Sequence, residues 1–193
     1  MKNIALIISH ILNPILLFAP VPYVLVYRST LNYNLSLFWE FFTLIFITIF
    51  LGFVLAGIKI GYFSDFDISN RSQRPVAFGF ALILSALYIF SLFFLQAPLI
   101  LFIAIITLFA GLIVMEIINK FTKASIHVGV VSAFATSLFL VYGGIFSFSF
   151  LLIPLVAWAR IKTRNHTKQQ TIIGAIVGMA IILVSYVIFE YII

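Results

Sequence analysis

The 193 residues include no cysteine, so disulfides and thiolate metal sites are excluded and the redox compartment is not readable. Only five side chains are acidic, and no second acidic motif accompanies Asp65 and Asp67 to build a magnesium site. No polar segment is long enough to fold by itself. There is no internal repeat, and no low-complexity tract apart from hydrophobicity itself. No small-residue cleavage site closes the first apolar run, which continues past Ile15. It is therefore expected to stay, and not to be removed as a signal peptide.

What the chain has is hydrocarbon. Hydrophobic residues make up 64% of it, with 23 Phe and a mean hydropathy of +1.27, outside the range of a soluble domain. An all-α integral membrane protein is expected, whose helices bury their polar groups against each other in one bundle. The organisation is read as a single domain, 1–193, with 1–61 as N-terminal helices ahead of a core at 62–193. Crossing about 30 Å of hydrocarbon takes about 20 apolar residues. That ruler predicts spans near 4–28, 37–61, 76–95, 98–118, 125–142, 145–159 and 171–192, a six- or seven-helix bundle. Pro14, Pro20 and Pro22 predict a kinked or re-entrant first segment. The sixth is short and is expected to need local thinning or an earlier start.

The net charge of +6 would suggest a nucleic-acid partner in a soluble protein; here it points to cytoplasmic loops and anionic headgroups. If all seven segments cross, Lys2, Lys59, Arg71, Arg74, Lys120, Lys123, Arg160, Lys162, Arg164 and Lys168 share one face, and only Arg28 falls on the other. The positive-inside rule makes the first face cytoplasmic, and a prokaryotic plasma membrane is expected.

Three polar loops lie on that face: "FSDFDISNRSQRP" (63–75), "NKFTKASIHVGV" (119–130) and "RIKTRNHTKQQ" (160–170). An even number of spans between them lets them converge. Arginines with a serine and two histidines at a lipid surface suit a phosphate ester. Guanidinium groups match phosphate oxygens in pairs. One imidazole can attack phosphorus while another protonates the leaving oxygen.

The spacing of these residues resembles the type 2 phosphatidic acid phosphatase and vanadium haloperoxidase superfamily, with its motifs K-x6-R-P, P-S-G-H and S-R-x5-H-x3-D. Arg74-Pro75 looks like the end of the first, Ala124-Ser125-Ile126-His127 like the second, and Ala159-Arg160 with His166 like the third. His166, Thr167, Gln170 and Gly174 are similar to the pattern of dolichyl-diphosphatase-like members. Asp67, Ile126, Ala159 and Gln170 replace the family's lysine, glycine, serine and aspartate.

The resemblance implies an acid-phosphatase/haloperoxidase-like core at 62–193 that hydrolyses a lipid phosphate or diphosphate, with an isoprenoid diphosphate favoured and no metal or cofactor. In it His166 would be the nucleophile, His127 the general acid and Gln170 the residue orienting His166. Arg74, Arg160 and Ser125 would hold the phosphoryl oxygens, and Lys123 would stand in for the lost lysine.

Several groups have plainer readings. Lys162, Arg164 and Lys168 are read as snorkelling to headgroups. Asp65 and Asp67 cap a turn or pair with Arg71. His10 is read as a core histidine, Glu40 as interfacial, and Gly174 with Gly178 as helix packing. Two rival functions remain. One is a lipid-phosphate binding or transport protein without turnover. The other is an intramembrane prenyltransferase, because "SDFDISNRSQRP" is similar to the aspartate-rich loop of that family, although no second acidic motif is present.

Overall fold

The computed structural model describes residues 2–190. Every regular element among them is helical, as lipid demands of a backbone that has no water to bond. In chain order these are α1 (Lys2–Ile11), α2 (Pro14–Phe18), α3 (Val21–Thr30), α4 (Tyr33–Lys59), α5 (Arg74–Phe94), α6 (Leu99–Asn119), α7 (Ile126–Tyr142), α8 (Leu152–Lys162) and α9 (Lys168–Glu190).

Among the described residues, five rods are long and apolar enough to cross a bilayer: Tyr33–Lys59, Arg71–Phe94, Leu99–Asn119, Gly144–Lys162 and Lys168–Phe189. The protein is an integral membrane protein. The proline-rich first segment adds a sixth crossing only if its broken pieces count as one. The stretch expected to cross over 125–142 is α7, of 17 residues. At 1.5 Å per residue it reaches about 26 Å, short of the full hydrocarbon thickness.

The sixth expected span corrects the other way. Residues Gly144–Leu151 form a 3-10 helix that runs into α8. With its longer rise of about 2.0 Å per residue, the two together reach about 32 Å, so no thinning of the bilayer is needed. Ser149 steadies this stretch by donating to the carbonyls of Phe146 (2.7 Å) and Ala135 (3.3 Å).

The chain packs as two compact units. One combines the N-terminal residues through Leu17 with the chain from Ile117 onward; the other is Phe18–Glu116.

In the first unit, Leu12, Val128, Val131 and Val156 form a core joining α1 and α2 to α7 and α8. Helices α7 and α9 lie against each other along a seam of small residues. A Cβ on Gly174 would be driven into the Ser125 carbonyl oxygen, and one on Gly178 into that of Gly129. Close backbone approach of this kind is how helices associate when lipid removes the hydrophobic drive. Ser132 Oγ donates to the Ala175 carbonyl at 2.8 Å, and Ser125 N to that of Gln170 at 3.0 Å. The second bond ties the start of α7 to the start of α9.

In the second unit, Val26, Trp39, Tyr88, Leu92, Leu101 and Ile105 form a core between α3, α4, α5 and α6. Thr43 and Tyr88 share a 2.6 Å hydroxyl bond inside it. Glu40 has a role beyond its interfacial position. Its carboxylate accepts from Tyr23 N at 3.2 Å and caps α3, whose Pro20 and Pro22 supply no N–H.

Candidate functional site

In the first unit the polar groups collect where α7 and α9 begin and α8 ends. Helix α8 closes with a Schellman turn. Arg164 N donates to the Ile161 carbonyl and Asn165 N to the Arg160 carbonyl. Arg164 takes the left-handed position, φ 62°, that glycine usually fills. This turn delivers His166 to the first turn of α9.

Helix α9 opens with a capping box. Thr167 Oγ1 accepts from Gln170 N at 3.3 Å, and Gln170 Oε1 accepts from Thr167 N at 3.1 Å. The same amide oxygen lies 3.3 Å from His166 Nδ1, and the Lys123 carbonyl lies 3.2 Å from it. Both neighbours are acceptors, so Nδ1 carries a proton, and in the neutral ring the lone pair belongs to Nε2.

Helix α7 opens with Ser125 as its N-cap, accepting from Val128 N at 3.4 Å. His127 is the second residue of the helix. Both histidines are 6% exposed. Lys123 Nζ donates to the Asn165 carbonyl at 3.1 Å. The loops at 119–125 and 163–167 therefore meet, two of the three polar loops whose convergence the sequence predicts.

Arg160, in the last turn of α8, is buried. Its Nη1 donates to Ser9 Oγ at 2.7 Å, across to α1. The Asn165 amide, turned oxygen-first, accepts from its Nη2 at 3.1 Å and Nη1 at 3.3 Å. These two partners are neutral, and they fix the orientation of the guanidinium. The only acidic residue of this unit is Glu190, at the far end of α9.

Arg74 belongs to the second unit. It is buried, and its Nε donates to the Ile68 carbonyl at 3.2 Å. Ile68 is itself left-handed, φ 46°, a costly conformation for a β-branched residue. The loop before it is tightly bonded. Asp65 accepts from Ser69 N and Oγ, and Gln73 joins Tyr62 O to Ser64.

Of the residues singled out by sequence, Ser125, Lys123, His127, Arg160, His166 and Gln170 lie within one unit. Two supporting residues, Ser9 and Asn165, escaped the sequence reading, and a third, Thr167, entered it only through the family resemblance. Ser9 leaves no local signal, because its partner is 151 positions away. Asn165 looks like loop filler. Thr167 was legible as the first member of a T-x-x-Q cap. His10 is an exposed residue of α1 and not a core histidine. Comparison with family models, curated proteins and solved structures finds no match.

Proposed function

We propose that this chain is a membrane-embedded phosphohydrolase acting on a lipid phosphate or diphosphate, through a phosphohistidine on His166. One observation carries the reading: His166 Nδ1 faces the Lys123 carbonyl and Gln170 Oε1, which leaves the Nε2 lone pair as the nucleophile. Attack on phosphorus would form the N–P bond as the ester or anhydride oxygen departs, taking a proton from His127. Water would then cleave the N–P bond and release inorganic phosphate. Arg160 is the donor that would stabilise charge on the phosphoryl oxygens, aided by the Ser125 hydroxyl. The fold proposed for this chemistry is an acid-phosphatase/haloperoxidase-like core, its site on the cytoplasmic face of a prokaryotic plasma membrane. An isoprenoid diphosphate is the favoured substrate.

The test is phosphate release by the purified full chain from isoprenoid diphosphates and phosphatidic acid in excess EDTA, with rapid quenching to trap phosphohistidine. Release that persists in EDTA and is lost in His166→Ala supports the proposal. Release undiminished in His166→Ala overturns it. Lipid-phosphate binding without turnover identifies the non-catalytic alternative. Full activity in excess EDTA excludes the prenyltransferase alternative, which needs magnesium to hold its diphosphate.

A further inference from the structure

Helices α7, α8 and α9 border a groove of about 940 Å³ whose lining does not include His127, Arg160 or His166. Its walls are apolar, with Ile153, Ala157 and Trp158 on α8 and Ile172 on α9. Along α8 it runs from Ile153 to Lys162, a rise of about 14 Å. That is about half the thickness of the hydrocarbon layer, the depth of one leaflet. At its polar end stand Lys162, Arg164 and Lys168, all exposed.

The sequence alone reads these three cations as snorkelling, yet two of them sit where the backbone disfavours them. Arg164 occupies the left-handed residue of the Schellman turn, where glycine carries no steric penalty. Lys168 is the first residue of α9, at the positive end of the helix dipole, where a cation is repelled and an anion attracted. Local rules broken together at one place are the mark of a site. The dipole and the three charges select a negative occupant. The apolar walls select one that carries a chain.

The geometry points to a binding site for one anionic phospholipid of the bilayer, its phosphate among Lys162, Arg164 and Lys168 and one acyl chain along α8. This inference does not rest on the phosphohydrolase reading, because its readout is lipid occupancy and not turnover.

Trp158 lies in the groove wall and reports on it; the other tryptophan, Trp39, is buried. The full chain is reconstituted in phosphatidylcholine vesicles that contain either brominated phosphatidylglycerol or brominated phosphatidylcholine at equal mole fraction. Indole fluorescence is then compared. The anionic lipid is expected to quench with an apparent preference of at least about fivefold, the worth of one cation near a lipid surface. The preference should fall to about one in the triple variant Lys162→Gln, Arg164→Gly and Lys168→Gln. It should survive in Lys120→Gln, an exposed cation outside the groove.

Arg164→Gly alone should lower the preference while leaving the thermal midpoint unchanged or raised, which separates lost charge from lost fold. Excess inorganic phosphate should not relieve the quenching. Equal quenching by the two lipids, a preference that survives the triple variant, a loss as large in Lys120→Gln, or relief by inorganic phosphate would each overturn the inference.

Discussion

His166 Nδ1 and Gln170 Oε1 lie 3.3 Å apart, and that same oxygen closes the capping box of α9 through Thr167 N at 3.1 Å. Gln170 therefore has two duties that substitution can separate. Glu in its place still caps, and it adds the negative charge that favours an imidazolium. Gln170→Glu is expected to keep the thermal midpoint and to match or exceed wild-type phosphate release. Gln170→Leu is expected to lose about 1 kcal/mol of stability, as lost caps do. It should also lose about 10- to 100-fold in activity, as lost orienting partners do. Thermal unfolding in detergent and initial rates measure the two effects.

His127→Ala is expected to reduce turnover by about 10² to 10⁴, the usual contribution of a general acid. The defect should be smaller for a substrate whose leaving group needs no proton. A lipid monophosphate, whose departing alkoxide needs a proton, and a nitrophenyl phosphate, whose phenolate does not, compared in the same variant provide the measurement. Equal losses on both would remove His127 from that role.

Ser9 is the residue whose importance the structure adds. Ser9→Ala removes a hydroxyl from a buried guanidinium, a loss of about 1.5 to 3 kcal/mol for a bond to a charged group. Turnover should fall with it, because Arg160 loses its anchor on α1. Arg160→Lys should not restore activity, since an ammonium cannot span both Ser9 and Asn165 as the planar fork does.

Gly178→Ala is expected to destabilise the protein by about 1 to 3 kcal/mol, the range for overpacking, because its methyl group would meet the Gly129 carbonyl oxygen. Gly52 has open space around its Cβ position, so Gly52→Ala should be neutral or stabilising. Unfolding midpoints of the two variants, measured side by side, give the contrast.

The lack of cysteine makes topology directly testable, since any introduced thiol is unique. Lys120→Cys is expected to react with an impermeant maleimide only from the cytoplasmic side, and Ile145→Cys, at the other end of α7, only from outside. The reverse pattern would invert the charge-based orientation.

Hydropathy made the rods legible, and Pro14, Pro20 and Pro22 marked the break in the first. It did not show which faces meet, because a helix apolar all round has no amphipathic stripe to read. In lipid the contact signal passes to small residues, and Gly174 and Gly178 carried it. The 3-10 stretch at 144–151 was hidden because its composition matches that of any span, and only its rise per residue differs. Even spacing predicted that the 119–125 and 163–167 loops meet. The anchoring of Arg160 by Ser9 is a long-range contact, and nothing near either residue announces it.

The shared oxygen of Gln170 would tie the reactivity proposed for His166 to the winding of a helix end. Unravelling the first turn of α9 releases the imidazole while the glycine seam below it still holds. On warming, the chain would then stop turning over at a temperature where its far-ultraviolet spectrum is still that of the intact protein.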